Sequence, residues 1–347
     1  MFKIQTSAKR FDANKVNIIE NGRYPYVVRT SSNNGQKGFL DENESFLNAG
    51  NTISFGQDTA TIFYQEKPYF TGDKIKVLVP KVYKFNKKNA QFFLASMNIA
   101  FSKFSWGSSR FNVDVLKEQV IMLPTKCDSI DFEFMESFIE ELEAERIEEL
   151  EAYLSVSGLK DTQLTADELS ALDKFNSINW KKFNLETLFG KSTRGKRLKG
   201  DDRIGGNLPF VTAGETDEGI SAFISNDVEI FSSNTTTIDM FGSAKYRNYN
   251  YGADDHIAVV HTENLSKYAA IFVTSACHKS AHNGDFSYSR NFYAKDADKL
   301  YISLPVKNEQ PDYELMSTLI SAMQKLVIAD VVKFSDEKIK ATKQVVG

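Results

Sequence analysis

The chain has 347 residues, 41% hydrophobic and 25% charged, with 27 Phe and 14 Tyr; at roughly 150 residues per domain this predicts two or more domains with apolar cores and excludes a mainly disordered chain. Two cysteines, Cys127 and Cys277, exclude a disulfide framework, and seven prolines exclude a proline-rich linker protein. No apolar run approaches the roughly 18 residues of a membrane helix, and residues 1–10 lack a signal-peptide apolar region, so a reduced cytoplasmic protein without a membrane partner is expected.

In chain order, short β-rich runs are predicted at 24–28, 61–64, 75–79 and 120–123, separated by Gly, Asn and Pro signals, with a helix over 89–101. A long amphipathic helix follows from Asp131 to about Ser155, its apolar stripe formed by Met135, Ile139, Leu142, Ile147, Leu150 and Leu154. Thr165-Ala166-Asp167-Glu168 is a capping box that opens a short helix containing Leu169, Leu172 and Phe175. Strands are then expected at 210–212, 257–260 and 300–304, with a helix over 266–277. The last helix places Met316, Ile320, Met323, Val327, Val331 and Phe334 at steps of four and three, a seam for a partner helix.

The net charge of −4 conceals a strong asymmetry. Residues 1–124 contain 17 Lys and Arg against 10 Asp and Glu, a net of +7, whereas residues 125–180 contain 4 against 15, a net of −11. Residues 181–305 balance at 15 and 15, and 306–347 at 6 and 6. The acidity therefore belongs to the region of the first long helix, whose glutamates would be repelled by phosphate and should face solvent or a protein.

An ordered internal repeat organises the chain. Leu123-Pro124 returns as Leu304-Pro305, and at the same shift of 181 Asp131-Phe132-Glu133-Phe134-Met135 returns as Asp312-Tyr313-Glu314-Leu315-Met316. Ser109-Arg110 returns as Ser289-Arg290 at 180, Gly22-Arg23-Tyr24-Pro25-Tyr26-Val27 as Gly206-Asn207-Leu208-Pro209-Phe210-Val211 at 184, and Lys9-Arg10-Phe11 as Lys196-Arg197-Leu198 at 187. Landmark order is kept while the shift drifts, as small loop insertions would produce. The expected class is α+β: two pseudo-repeated β-rich domains joined by long antiparallel, coiled-coil-like helices. The expected division is a first domain over 1–127, a central helix and connecting helix over 128–178, a second domain over 179–307 and a terminal helix over 308–347.

Two β-rich regions, each opening on a basic element (Ala8-Lys9-Arg10-Phe11; Gly195-Lys196-Arg197-Leu198), continuing through a Pro-aromatic-Val strand and closing on Leu-Pro and a long helix, resemble the specificity subunit of type I restriction-modification systems. The related type IIB systems use a similar subunit. The resemblance covers essentially the whole chain and rests on the repeat more than on any short motif. It implies that each β-rich region is a target recognition domain reading half of a bipartite, asymmetric double-stranded DNA site. It also implies that the helices act as a spacer that holds DNA methyltransferase subunits and, in a restricting system, endonuclease subunits. Catalysis and S-adenosylmethionine then belong to the partners, with no cofactor on this chain. One departure is visible: Trp180-Lys181-Lys182-Phe183-Asn184 leads into the second copy, and nothing in the first copy corresponds to it. The alternative is a two-headed protein- or glycan-binding scaffold without DNA specificity.

Candidate DNA-contacting residues follow from side-chain chemistry. In the first copy, Lys103, Trp106, Ser108, Ser109 and Arg110 combine small residues with an Arg able to grip guanine or phosphate. The matching stretch of the second copy offers His278, Lys279, His282, Asn283, Tyr288, Ser289 and Arg290. Ser32, Asn33 and Asn34, then Gln57, Asp58 and Thr59, and Lys245, Tyr246, Arg247 and Asn248 are polar loop groups suited to base edges. Lys9, Arg10, Arg194, Lys196, Arg197 and Lys199 suit phosphate contact.

Signs of catalysis are missing from the sequence. Cys277, His278 and His282 fall short of a four-ligand zinc set. There is no Gly-x-Ser-x-Gly elbow, no Walker-type phosphate loop and no Asn-Pro-Pro-Tyr-like methyltransferase motif. Asp336-Glu337-Lys338, the one nuclease-like Asp-x-Lys, lies on the amphipathic terminal helix.

Overall fold

In this computed structural model the described residues are 1–102 and 113–346, and they fall into two compact units, Met1–Glu149 and Leu150–Gly347. In the first unit, β1 (Phe2–Thr6), β2 (Tyr24–Val27), β3 (Gln36–Leu40), β4 (Thr52–Gly56), β5 (Ile62–Gln65), β6 (Phe70–Thr71) and β7 (Ile75–Pro80) precede α1 (Ala90–Phe101) and α2 (Val113–Glu118). A small hairpin, β8 (Thr125–Lys126) and β9 (Ser129–Ile130), then leads into α3 (Phe132–Val156), which ends in the second unit. The strands form a sheet ordered β1-β7-β4-β5 and a smaller one ordered β3-β2-β6. β4 is buried at every residue: Ile53 and Phe55 share a core with Leu78 and with Phe93 and Met97 of α1, while Thr52 Oγ1 lies 3.2 Å from Tyr69 Oη and Ser54 Oγ accepts from Gln65. Each such apolar side chain contributes about 1.5–3 kcal/mol of transfer free energy. Met135, from the predicted helical seam, is fully buried in this same core and so is a domain anchor.

In the second unit, α4 (Ala166–Asp173) starts at the predicted capping box: Glu168 N donates to Thr165 Oγ1 at 3.2 Å, and Thr165 N to Glu168 Oε2 at 2.7 Å. β10 (Trp180–Asn184), α5 (Leu185–Phe189) and β11 (Thr193–Arg194) follow, then β12 (Gly205–Val211), β13 (Ile220–Ile224), β14 (Thr235–Asp239), β15 (Ala244–Arg247), β16 (Gly252–Ala253) and β17 (Ile257–Val260). α6 (Lys267–Ala281), α7 (Ala294–Asp298), β18 (Tyr301–Lys307), β19 (Gln310–Pro311) and α8 (Tyr313–Val346) complete it. Two of its sheets, ordered β11-β17-β14-β15 and β13-β12-β16, repeat the two larger sheets of the first unit strand for strand, and a third is ordered β10-β18-β19. The match extends to detail. A bulge interrupts β2/β3 between Tyr26 and Val27, and another interrupts β12/β13 between Phe210 and Val211. Both hairpins before the long helices turn on paired left-handed residues, Cys127-Asp128 and Asn308-Glu309.

Three expectations are corrected. Residues 120–123 form no strand. Their counterparts in β18 are paired with β10, Trp180 to Pro305 through Asn184 to Tyr301, whereas among the described residues no strand pairs with 120–123. Second, Met323, Val327, Val331 and Phe334 of α8 are 38–79% exposed. The face that α8 buries runs through Met316, Leu319, Ala322, Val332 and Ser335, small residues as well as large; α8 packs against α4 and α6, and Ser335 Oγ donates to Glu151 of α3 at 3.4 Å. Leu142 of α3 is likewise 38% exposed, whereas Leu154 is buried. Third, the helix Tyr313–Ala341 does reach the length and composition of a membrane span, with a mean hydropathy of 1.5. It contains Lys325, whose ammonium lies 3.1 Å from both Asp161 and Glu168.

Candidate nucleic-acid interface

In the first domain the chain between β1 and β2 bridges in parallel at Arg10 to Thr71, and Phe11 N donates to Thr71 O at 2.9 Å. That tie fixes the basic element beside β6. Lys9 extends over the rings of Phe11 and Phe46, 4.7 and 4.3 Å from their centroids, and Arg10 lies 3.5 Å from Asp73. Both cations remain exposed. β6 pairs with the end of β2, where Val28 N donates to Gly35 O at 2.8 Å and closes a turn over 32–35. Asn33 and Asn34 in that turn have φ of 48° and 53°, and Gly35 has 77°, left-handed values that Asn and Gly accept at least cost.

Basic element and turn share a cleft of about 850 Å³ whose lining includes Arg10, Arg29, Ser32, Gln36, Lys37 and Thr59. The sequence reading named Arg10, Ser32 and Thr59 but missed Arg29 and Lys37. Their signal was weak, since each is a single cation on a β-rich run. Asp58 is engaged by Arg29 and by Lys74, the latter at 2.8 Å, so it orders cations at the cleft and is not free to meet a base. Gln57 N donates to Lys74 O at 3.0 Å beside it. Asn33 Nδ2 donates to Gln36 O at 3.3 Å and Asn34 Nδ2 to Tyr64 O at 3.0 Å, and both side chains are exposed. Lys103, Trp106, Ser108, Ser109 and Arg110 lie outside the described residues.

The second domain repeats the constellation. Thr212 N donates to Gly219 O at 2.8 Å, closing a turn in which Asp217, Glu218 and Gly219 have φ of 48°, 54° and 81°. The basic loop containing Arg194, Lys196, Arg197 and Lys199 is held next to it: Leu198 N donates to Asp254 Oδ1 at 3.3 Å, and Asp254 N to Val211 O at 2.9 Å. All four cations are exposed and none has a carboxylate partner among the described residues. The turn at 217–219 was not legible in the residue types; its one signal is Gly219 standing 184 residues after Gly35.

Other predicted residues are placed differently. Arg247 is 1% exposed, donating through Nε to Thr237 Oγ1 and through Nη1 to Tyr249 Oη, both at 2.9 Å, so it cannot reach DNA. Lys245 pairs with Glu215 at 3.3 Å and Tyr246 donates to Asn234 at 2.9 Å, leaving Asn248 as the exposed member of that set. His278 Nδ1 accepts from Ala244 N at 3.2 Å, and its ring stacks on His282 with centroids 4.7 Å apart. His282 Nδ1 sits 3.2 Å from Phe241 O, so both histidines tie the end of α6 to the β14–β15 connection. Beyond them Lys279 and Asn283 are exposed, and residues 287–290 form a tight turn closed by reciprocal 3.0 Å bonds between Ser287 and Arg290. Tyr288 there is 84% exposed, Ser289 bonds Ser287, and the Arg290 guanidinium lies 5.3 Å over Phe286. Among the described residues Asp254, Asp255 and His256 bring donor atoms within 4.8 Å, but they are neighbours in one turn, and His256 Nδ1 already meets Asp255 at 3.1 Å.

What this arrangement can do chemically is hold a polyanion with exposed cations while a nearby turn presents hydrogen-bond acceptors. Comparisons with known proteins show the family. The family described as type I restriction modification DNA specificity domain matches residues 1–152 and 177–331. The chain is 26% identical over 328 residues to the type II restriction enzyme BgcI specificity subunit S.BcgI of Heyndrickxia coagulans, covering 92% of this chain and 91% of that one. It shares the fold of the type I restriction-modification S subunit from M. genitalium, with a TM-score of 0.61 and 16% identity over 99% of this chain and 91% of the other. With two matched domains spanning most of its length, the chain belongs to the type I restriction-modification DNA specificity family and is a non-catalytic specificity subunit of a restriction-modification system.

Proposed function

We propose that the chain reads a bipartite, asymmetric site in double-stranded DNA, one half with residues 1–127 and the other with 179–307. The helical segments 128–178 and 308–347 serve as the spacer. The observation that carries this is the duplicated constellation of basic element, parallel strand pair (β2 with β6, β12 with β16) and left-handed turn, built on one backbone plan with different polar side chains. Equal backbones suit the repeating geometry of a duplex, and unequal side chains suit two different half-sequences. Exposed Arg194, Lys196, Arg197 and Lys199, with Lys9 and Arg10 in the first domain, hold phosphates.

The exposed row Met323, Val327, Val331 and Phe334 on α8 is the docking edge for methyltransferase subunits that bind S-adenosylmethionine and extrude the target adenine. Endonuclease subunits join the assembly in a restricting system, and the complex works in the cytoplasm. Co-expression with the neighbouring genes, followed by mapping methylated adenines in host DNA with and without this chain, tests the reading. A split motif of fixed gap that vanishes when the chain is omitted is expected. Complexes that bind DNA yet methylate no chain-dependent motif would leave the scaffold alternative.

A further inference from the structure

The two left-handed turns stand at the same place in the two domains, closed by equivalent 2.8 Å bonds, Val28 N to Gly35 O and Thr212 N to Gly219 O. Beneath each lies the last residue of the equivalent strand, turned inward. In the first domain this is Gln65, 5% exposed, whose Nε2 donates at 3.1 Å to Asn34 O in the turn and to Ser54 Oγ. In the second it is Arg247, which aligns with Thr235 as Gln65 aligns with Thr52. Arg247 Nη2 lies 3.9 Å from where a Cβ on Gly219 would stand. The exchange is matched in charge: a neutral brace supports Asn33-Asn34, and a cationic brace supports Asp217-Glu218. A buried guanidinium needs negative charge nearby, and among the described residues no carboxylate pairs with Arg247 within 4.0 Å. Asp217 and Glu218 belong to the turn whose Gly219 the guanidinium approaches.

Resting on the DNA-reading function proposed above, the geometry points to these turns as base-reading determinants of the two half-sites, with Asp217 and Glu218 selecting a base pair that offers an exocyclic amine, cytosine N4, in the major groove. Carboxylates accept hydrogen bonds and donate none, so they match the cytosine amine and repel guanine O6 and N7 and thymine O4. Both are exposed and have no side-chain partner among the described residues. The Asn33 and Asn34 amides are uncharged, and with one bond made by each Nδ2 they retain both an acceptor oxygen and a donor N–H. Phosphate repulsion by the acidic turn is offset by the adjoining loop of Arg194, Lys196, Arg197 and Lys199. Arg247 and Gln65 are positioning residues.

The test uses the assembled methyltransferase complex and the methylation map of host DNA. Asp217→Asn/Glu218→Asn gives the second turn the residues of the first, which tolerate left-handed φ, and Glu218→Asp is the charge-retaining control. The neutral variant should relax or change the second half-site at one or two positions and lose about tenfold in discrimination. It should also bind unrelated duplex more tightly, because two negative charges leave the interface. The control keeps the motif. The reciprocal Asn33→Asp/Asn34→Glu should alter the first half-site alone. An unchanged motif in folded variants, or relaxation of both half-sites together, would overturn the inference while leaving the DNA-reading function intact. Absence of chain-dependent methylation with the unaltered protein would instead remove the function on which the inference rests.

Discussion

Glu168 and Lys325 lie 3.1 Å apart, and through them the connecting helix α4 is locked to the long terminal helix α8. The same carboxylate caps α4 through Thr165 N and accepts from Ser321 Oγ at 2.6 Å, while Lys325 also reaches Gln163 O at 2.8 Å. The bond from Ser321, then that from the Thr165 backbone, hold the Glu168 carboxyl down at about 2 against an ordinary value of 4.5. A carboxyl depressed in the folded state stabilises it above the unfolded value and loses that contribution as the pH falls through the folded one. Thermal melts should therefore show a fall in stability between about pH 4.5 and 2, beyond that of a Glu168→Gln variant, whose profile should be flatter there. Parallel profiles would show that the lock contributes nothing on acidification.

Cys277 is fully buried in the second domain's core, and burial pushes its thiol up to about 12, whereas Cys127 is exposed in a hairpin turn. Because the thiolate is the reactive form, a thiol reagent at neutral pH should label Cys127 alone in the folded protein and both cysteines in denaturant. Rapid native labelling of Cys277 would mean that α6 opens easily.

Gly195 sits at the base of the basic loop with no room for a side chain, since an added Cβ would stand 1.7 Å from Ala253 O. Gly195→Ala must displace β16 or the loop, at a cost of about 1–3 kcal/mol. It should lower the melting temperature by several degrees and weaken DNA binding as well. Gly200→Ala, with open space around it, should do neither.

Lys196 and Arg197 are exposed and free of carboxylate partners among the described residues. If they hold phosphates, each alanine substitution should weaken binding to all duplexes about equally. Each should also reduce the slope of log affinity against log salt by about 1. A change in motif without a change in salt slope would assign them to base reading.

Arg247→Gln should destabilise the second domain, and the loss should shrink when Asp217→Asn/Glu218→Asn is present, because the acidic turn then no longer needs a cation beneath it. A double-mutant cycle on melting midpoints measures the coupling, expected within the roughly 0.5–3 kcal/mol seen for groups in one network. Strict additivity would separate brace from turn.

Much of this organisation was legible in the residues. The repeat, both long helices, the capping box at Thr165 and the strand at Ile257–Val260 follow from periodicity and local chemistry that act within a few residues. Failures arose where the determinant was distant or small. Residues 120–123 look like a strand by composition, but a strand exists only where a neighbour offers backbone groups, and among the described residues none pairs with them as β10 pairs with β18. The large apolar side chains of α8 mark its exposed row, and the face it buries within the chain includes small residues such as Ala322 and Ser335, which apolar periodicity does not single out. Arg247 resembles a DNA contact by charge and loop position, yet the inward face of β15 buries it. Asp217-Glu218 escaped notice because the feature shared with Asn33-Asn34 is a pair of backbone angles, which unlike side chains can adopt equally.

The antiparallel pairing of β10 with β18 has a consequence for inheritance. It sets the residues entering and leaving the second domain directly opposite one another, Asn184 to Tyr301 and Trp180 to Pro305, through main-chain bonds that are indifferent to side chains. A genetic crossover on either side of that clasp would exchange everything from 185 to 300 and still leave the ladder able to close. Under the proposed function, a population could thus acquire a new half-specificity in one recombination event, with residues 1–178 and the terminal helix unchanged.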